Sequence, residues 1–350
     1  GTWTVPSVVS LFTGMFVRSH GWDLSTGRLG RYPPLPAAPT LAEVLSGAGF
    51  TTHGFHANPY LSEQLGFDRG FDAWRRSGDR VMPGQFARLV ETTWTADGRH
   101  FAYLHFIGPH SPLDPSEGAR ARHALPAEFF DDPKGLNIGV AKRNRRDGAR
   151  AAYAQGYRAV VEDTDARVAA VLDALGPHRD DTLVVLTSDH GELLGEHGRV
   201  GHGRHVWEPL THVPLVVDHP ALTGDAERLP SALSNAATAD IVTRGLGVPH
   251  TWPVQLDDGH PLVAQREGRL ALSPDGVRKG IWDPDVAPDV QVFDLVEDAA
   301  EAAPLADAGG ELKDARARWE AATPAGSTSA ESVALHPDTV EQLRALGYVP

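Results

Sequence analysis

The sequence predicts an α/β protein: a large mixed, mainly parallel sheet flanked by helices, with a smaller antiparallel subdomain at the C-terminal end. Three stretches carry that expectation. Thr182 to Leu186 is a short apolar run, rich in branched residues and preceded by acids, the pattern of a strand buried on both faces. Just before it, apolar residues at 157, 160, 161, 168, 171, 172 and 175 have the spacing of an amphipathic helix. A helix feeding such a strand is half of a βαβ unit and points to parallel pairing. From about residue 255 onward, short alternating pieces separated by turn residues (261–265, 269–273 and 290–298) suggest a small antiparallel sheet. The expected division is an α/β domain over 1–250 and an α+β subdomain over 251–350.

Composition narrows the class. A chain of 350 residues can bury a sizeable core, and its 41% hydrophobic and 22% charged residues suit a soluble globular protein. Nothing approaches an 18-residue apolar run, so no membrane span is visible. A net charge of −14 without a basic cluster argues against a nucleic-acid backbone as partner. The absence of cysteine excludes a disulfide framework, a thiolate nucleophile and Cys-ligated metal, and with no targeting segment visible it favours a cytoplasmic location. The chain starts at Gly1 and runs straight into a motif, so its N-terminus is read as incomplete.

The strand at 182–186 stops at Thr187-Ser188-Asp189-His190-Gly191, which puts a carboxylate and an imidazole at a strand's carboxyl end. Ligand crevices of open parallel sheets lie there, and both groups bind divalent cations. Alone, the pair reads equally well as a turn aspartate beside a solvated histidine. His197 and His202 follow within one loop, each flanked by glycine, which permits close approach of backbone to a ligand.

At the other end, Gly1 to Gly14 predicts a helix, with Pro6 in its first turn, Val9 and Phe12 three apart, and Gly14 at its close. A hydroxyl just before such a helix, Thr4, faces its partial positive charge; the other reading is a plain N-cap. Thr40 and Glu43 form a capping box for a helix that closes at Gly47 or Gly49. Phe101 to Ile107 reads as an aromatic, apolar strand ending in Gly108-Pro109-His110-Ser111-Pro112, which fixes His110 between prolines, while His105 within the strand reads as core. Residues 115–150 lack periodicity and read as a surface excursion.

In order along the chain, these segments resemble the sulfatase family of the alkaline phosphatase superfamily. The match rests on Thr4-Val-Pro6-Ser7-Val8-Val-Ser-Leu11-Phe-Thr13-Gly14, the TLAE segment with the GF-D-x-GF-D of Gly66 to Asp72, and the His-x-Pro at His110. It continues through SDHGELLGEHG and Val213 to Val217, to the terminal Leu346-Gly-Tyr-Val349. The resemblance implies an alkaline-phosphatase-like three-layer α/β/α sandwich and a metal-dependent hydrolase or transferase of sulfate or phosphate esters. It puts Thr4 at the nucleophile position, Asp189, His190 and Thr4 on one divalent ion (Ca, Mg, Mn or Zn), and His110 and His202 at the leaving group. Asn58 and His56 fall where the family binds substrate, and His197 and Ser7 stand behind these groups.

Departures from the family pattern matter. A threonine cannot become the formylglycine of true sulfatases, Val8 replaces an arginine, and Ala57 stands where a substrate-binding lysine or histidine is expected. These favour phosphate mono- or diesters over sulfate esters, with a small-molecule ester as the partner. The family's metal-binding aspartate pair lies on a strand upstream of the nucleophile, beyond this sequence. The competing reading is a non-catalytic binding module that keeps the fold.

Overall fold

The computed structural model describes all residues except 24–30, 128–147, 220–231, 257–258, 307–308, 327–331 and 347–350. Most of the surface excursion expected over 115–150 and of the Leu346–Val349 terminus therefore lies outside the described residues.

The strands Ala73–Arg76, Thr51–His56 and His100–His105 pair in that spatial order, all parallel. Their register sets His56 opposite both Arg76 and His105, so three polar side chains share one carboxyl edge. The helix Leu41–Gly47 that leads into the middle strand has its capping box: Thr40 Oγ1 accepts from the Glu43 amide at 3.1 Å and Glu43 Oε2 accepts from the Thr40 amide at 2.8 Å.

The helix Thr4–Thr13 is buried along its whole length and ends at Gly14, whose φ of 64° is the left-handed cap that glycine adopts without strain. Phe12 drives its placement. Only 2% exposed, it packs edge-on against Phe67, Trp74 and Tyr103, with ring centroids 4.9 to 6.3 Å apart. That contact fixes one end of the helix against the parallel sheet.

The expected strand at 182–186 is Val184–Thr187, and it pairs antiparallel with Leu215–Asp218. It is not buried on both faces: Leu186 is 40% exposed and its register partner Val216 is 51% exposed. Hydropathy marks a strand but does not say whether both of its faces are covered. The amphipathic helix runs Ala149–Ala174 and leads through a short 3-10 turn into this strand.

Beyond residue 260, four antiparallel strands lie in the order 291–294, 278–282, 269–273, 262–266, with the helix Gly309–Ala322 burying Leu312, Ala315 and Trp319 beside them. Lys279, 2% exposed, ties this sheet to the segment after the histidine-rich loop through Glu208 at 2.9 Å, and pairs with Glu301 of the C-terminal region at 2.8 Å. The whole is the mixed α/β architecture with a C-terminal antiparallel sheet that the sequence predicts. Among the described residues no helix is long and apolar enough to cross a membrane.

Candidate active site

Thr4 is the first residue of its helix rather than the N-cap, a place taken by Trp3 in extended conformation. Its hydroxyl is therefore not occupied with capping. Asn58 Nδ2 donates to Thr4 Oγ1 at 3.1 Å, and the Thr4 hydroxyl lies near enough to the Asp189 carboxylate to help lower its pKa. Asn58 is itself held: it is 1% exposed, and its Oδ1 accepts from the Tyr60 amide at 3.0 Å.

Asp189 sits just past the strand Val184–Thr187, and two imidazoles flank it. His190 Nε2 stands 3.6 Å and His105 Nε2 3.7 Å from Asp189 Oδ2. Burial opposes ionisation of Asp189, but His190, His105 and the Thr4 hydroxyl together hold its carboxyl far below the usual carboxylate range. His190 is oriented by Nδ1 against the Gly191 carbonyl at 2.8 Å, and burial lowers its pKa despite the adjacent carboxylate. His105, expected in the core, closes its strand at the site.

The two histidines expected at the leaving group come together. The ring centroids of His110 and His202 are 5.0 Å apart, and those of His190 and His202 4.2 Å. His202 Nδ1 lies 2.7 Å from Glu192 Oε2, and Tyr153 OH donates to Glu192 Oε1 at 3.2 Å. A carboxylate only accepts, so the His202 proton is on Nδ1 and Nε2 faces the other histidines. His110 points Nδ1 at the Ser111 carbonyl, and burial, with His202 nearby, pushes its pKa down to about 3.

The remaining residues fall elsewhere. His56 stacks on Trp74 at 4.8 Å and bonds the Asn58 carbonyl through Nδ1 at 2.9 Å; burial lowers its pKa to about 4. It is a neutral brace for Asn58, not the substrate-binding cation the family has nearby. Ser7 lies one turn beyond Thr4, 1% exposed, with no partner for its hydroxyl among the described residues. His197 is not brought to the site. It has a positive φ of 52° at the tip of the loop and stacks on Trp207 at 4.0 Å, an aromatic neighbour that loop spacing does not reveal.

For a divalent ion, Asp189, His190 and the Thr4 hydroxyl are donors of the right kind. In number they fall short: among the described residues no three His, Asp or Glu side chains group so as to hold a metal ion. An ion bound here takes donors beyond them.

Comparison with known proteins shows the family. The sulfatase family model matches residues 1–235. The low-salt glycan biosynthesis sulfotransferase Agl7 of Haloferax volcanii is 30% identical over 223 residues, covering 61% of this chain and 45% of that protein. The choline-sulfatase of Rhizobium meliloti is 28% identical over 227 residues, covering 56% and 39%. The chain thus spans less than half the length of these curated relatives. Among solved structures, a protein in complex with its substrate D-glucosamine-2-N,6-O-disulfate superposes with a TM-score of 0.70 at 15% identity, over 99% of this chain and 89% of that one. A phosphonate monoester hydrolase from Silicibacter pomeroyi superposes with a TM-score of 0.67 at 18% identity, over 93% and 87%. With the family model matched from the helix Thr4–Thr13 through the strand-end Asp-His pair, the chain belongs to the sulfatase family, within the alkaline phosphatase superfamily.

Proposed function

We propose that this protein is a metal-dependent hydrolase or transferase of sulfate or phosphate esters, with Thr4 as its nucleophile and phosphate mono- or diesters preferred. The observation that carries the reading is the setting of Thr4 Oγ1, which takes an N–H from Asn58 at 3.1 Å beside the Asp189 carboxylate, whose pKa it helps to lower. A hydroxyl has one donor and two acceptor sites. Asn58 uses one acceptor site, leaving one lone pair for in-line attack and the proton for the neighbouring Asp189 carboxylate.

Attack by Oγ1 forms a threonyl ester, breaks the bond to the leaving oxygen and passes the Oγ1 proton to the neighbouring Asp189 carboxylate. Asp189 and His190, joined by Oγ1 once its proton has left, would help hold a divalent ion, which would lower the pKa of the hydroxyl and offset charge on the transferring group. His202 gives the leaving oxygen a proton from Nε2 when it enters the reaction doubly protonated, the form that the Glu192 carboxylate on Nδ1–H favours. His110 is poorly suited to that task. The Ser111 carbonyl takes its Nδ1–H, so Nε2 is an acceptor. Water, or a second alcohol, then takes the group from Thr4.

The preference for phosphate rests on Thr4 itself, on Val8, which is fully buried in the core, and on Ala57. None provides the aldehyde hydrate or the cations with which sulfatases meet a sulfate. The protein should be incubated with Mn²⁺, Mg²⁺, Ca²⁺ or Zn²⁺ and assayed on aryl phosphate mono- and diesters beside an aryl sulfate, with Thr4→Ala alongside. Phosphoester turnover that vanishes in the variant is expected. Sulfate turnover that survives Thr4→Ala would refute the nucleophile.

A further inference from the structure

A cavity of about 520 Å³ opens next to the site, within the roughly 300–1,000 Å³ range of small-ligand pockets. Its walls are the segment Arg76–Val81, the loop around His110, one face of the helix Ala149–Ala174 and the end of the helix Pro337–Ala345. His110 and Ala57 line it, and Ala57 directly precedes Asn58, the residue that holds Thr4. The cavity is therefore continuous with the place where a leaving alcohol would stand.

Its charges sort into occupied and available. Asp79 accepts the amides of Ile107 and Gly108 at 2.9 and 2.8 Å, and Arg80 pairs with Asp114 at 2.7 Å. Arg76 bonds only the amide oxygen of Gln342, and Arg167 reaches the Thr164 hydroxyl at 3.5 Å. Among the described residues neither guanidinium is paired with a carboxylate. Both guanidiniums line one cavity beside the reacting centre, so an anion entering it meets two positive charges that no described carboxylate offsets. Val160, Ile107 and Leu346 add apolar wall. Guanidinium forks match the oxygens of carboxylate, sulfate and phosphate groups.

We propose that this cavity receives the alcohol portion of the substrate and that this portion bears a second anionic group, a carboxylate or a further sulfate, which Arg76 and Arg167 bind. The assignment rests on Thr4 marking the reacting centre. It extends the proposed function from a bare ester to an anionic alcohol's ester.

The test is calorimetric binding of 4-nitrophenol, its 3-carboxylate and its 3-sulfonate, which needs no turnover, in parallel with hydrolysis of the corresponding aryl phosphates. At least one charged phenol should bind tighter by about tenfold, the order of one charge-assisted hydrogen bond. Which of the two does so tells a carboxylate site from a sulfate site. Arg76→Gln and Arg167→Gln should erase that preference, and Arg80→Gln, a neighbour already paired with Asp114, should keep it; melting curves identify any variant that fails to fold. Charged-phenol preference without hydrolysis of any ester would sustain the cavity and overturn the reaction. Hydrolysis with equal binding of all three phenols, or a preference that survives both arginine changes, would overturn the cavity assignment.

Discussion

Thr4 and Glu192 mark two ends of the site, and each predicts something different. Thr4→Ala removes the nucleophile and one acceptor of the buried Asn58 amide. It should abolish turnover while lowering stability by only about 1–3 kcal/mol in a urea titration, since the loss is one buried hydrogen bond. Glu192→Gln tests the other end of the site. The amide no longer fixes the His202 proton on Nδ1, so kcat should fall by about 10²-fold, the scale of positioned acid–base catalysis. Nitrogen-15 NMR of His202 should report a changed tautomer at the same time; an unchanged tautomer would remove Glu192 from this role. Thr4, Asp189, His190, His110 and His202 were legible in the sequence because each sits where a helix begins, a strand ends or glycines crowd a loop. Glu192, Tyr153 and His105 were not. A glutamate after Asp-His-Gly and a tyrosine on a helix have no local signature of their roles, which exist only because the helix Ala149–Ala174 lies beside the site loop. His197 carried the same loop signal as His202, and Trp207, ten residues on, took it away from the site.

Two elements position the site, and packing rather than propensity holds them. The helix Thr4–Thr13 is anchored by Phe12 in an aromatic cluster, so Phe12→Ala should cost about 3–5 kcal/mol in chemical denaturation and displace Thr4 with it. The Asp-His segment depends on a close backbone approach. A Cβ on Gly191 would come within 2.0 Å of the Pro209 carbonyl oxygen. Gly191→Ala must therefore push Asp189 and His190 out of place. Any metal-dependent rise in melting temperature should disappear in that variant, and a rise equal to that of the unsubstituted protein would show that the contact does not set the site. At this scale periodicity served well: the helices, the capping box and the C-terminal strands follow their patterns. The helix before Val184–Thr187 pointed to parallel pairing, but the strand pairs antiparallel with Leu215–Asp218. A helix leading into a strand does not fix which neighbour that strand takes, and an apolar run is the same in both kinds of sheet.

For the molecule as a whole, buried neutral histidines set the response to acid. His56 titrates near pH 4 and His20 near pH 3 because burial disfavours their charged forms, whereas the unfolded chain takes up these protons around pH 6.5. The folded-state values are depressed, so the stability they contribute is complete above about pH 6.5 and is lost as pH falls through about 4 and toward 3. Urea midpoints should decline over that window, and His56→Phe, though less stable at neutral pH, should show a shallower decline. Lys279 joins the C-terminal sheet to the segment beyond the site loop, and Lys279→Ala should destabilise by about 3–5 kcal/mol by stranding buried Glu301. Nothing in residue order marks this lysine, because its partners lie 71 residues before it and 22 after it. The central claim, however, is covalent, and intact-protein mass during turnover tests it most directly. Acid-quenched protein taken from a reaction with an aryl phosphodiester should carry one added phosphoryl ester, and peptide mapping should place it on Thr4. Steady turnover with an unmodified Thr4, or the same adduct on another residue, would contradict the account.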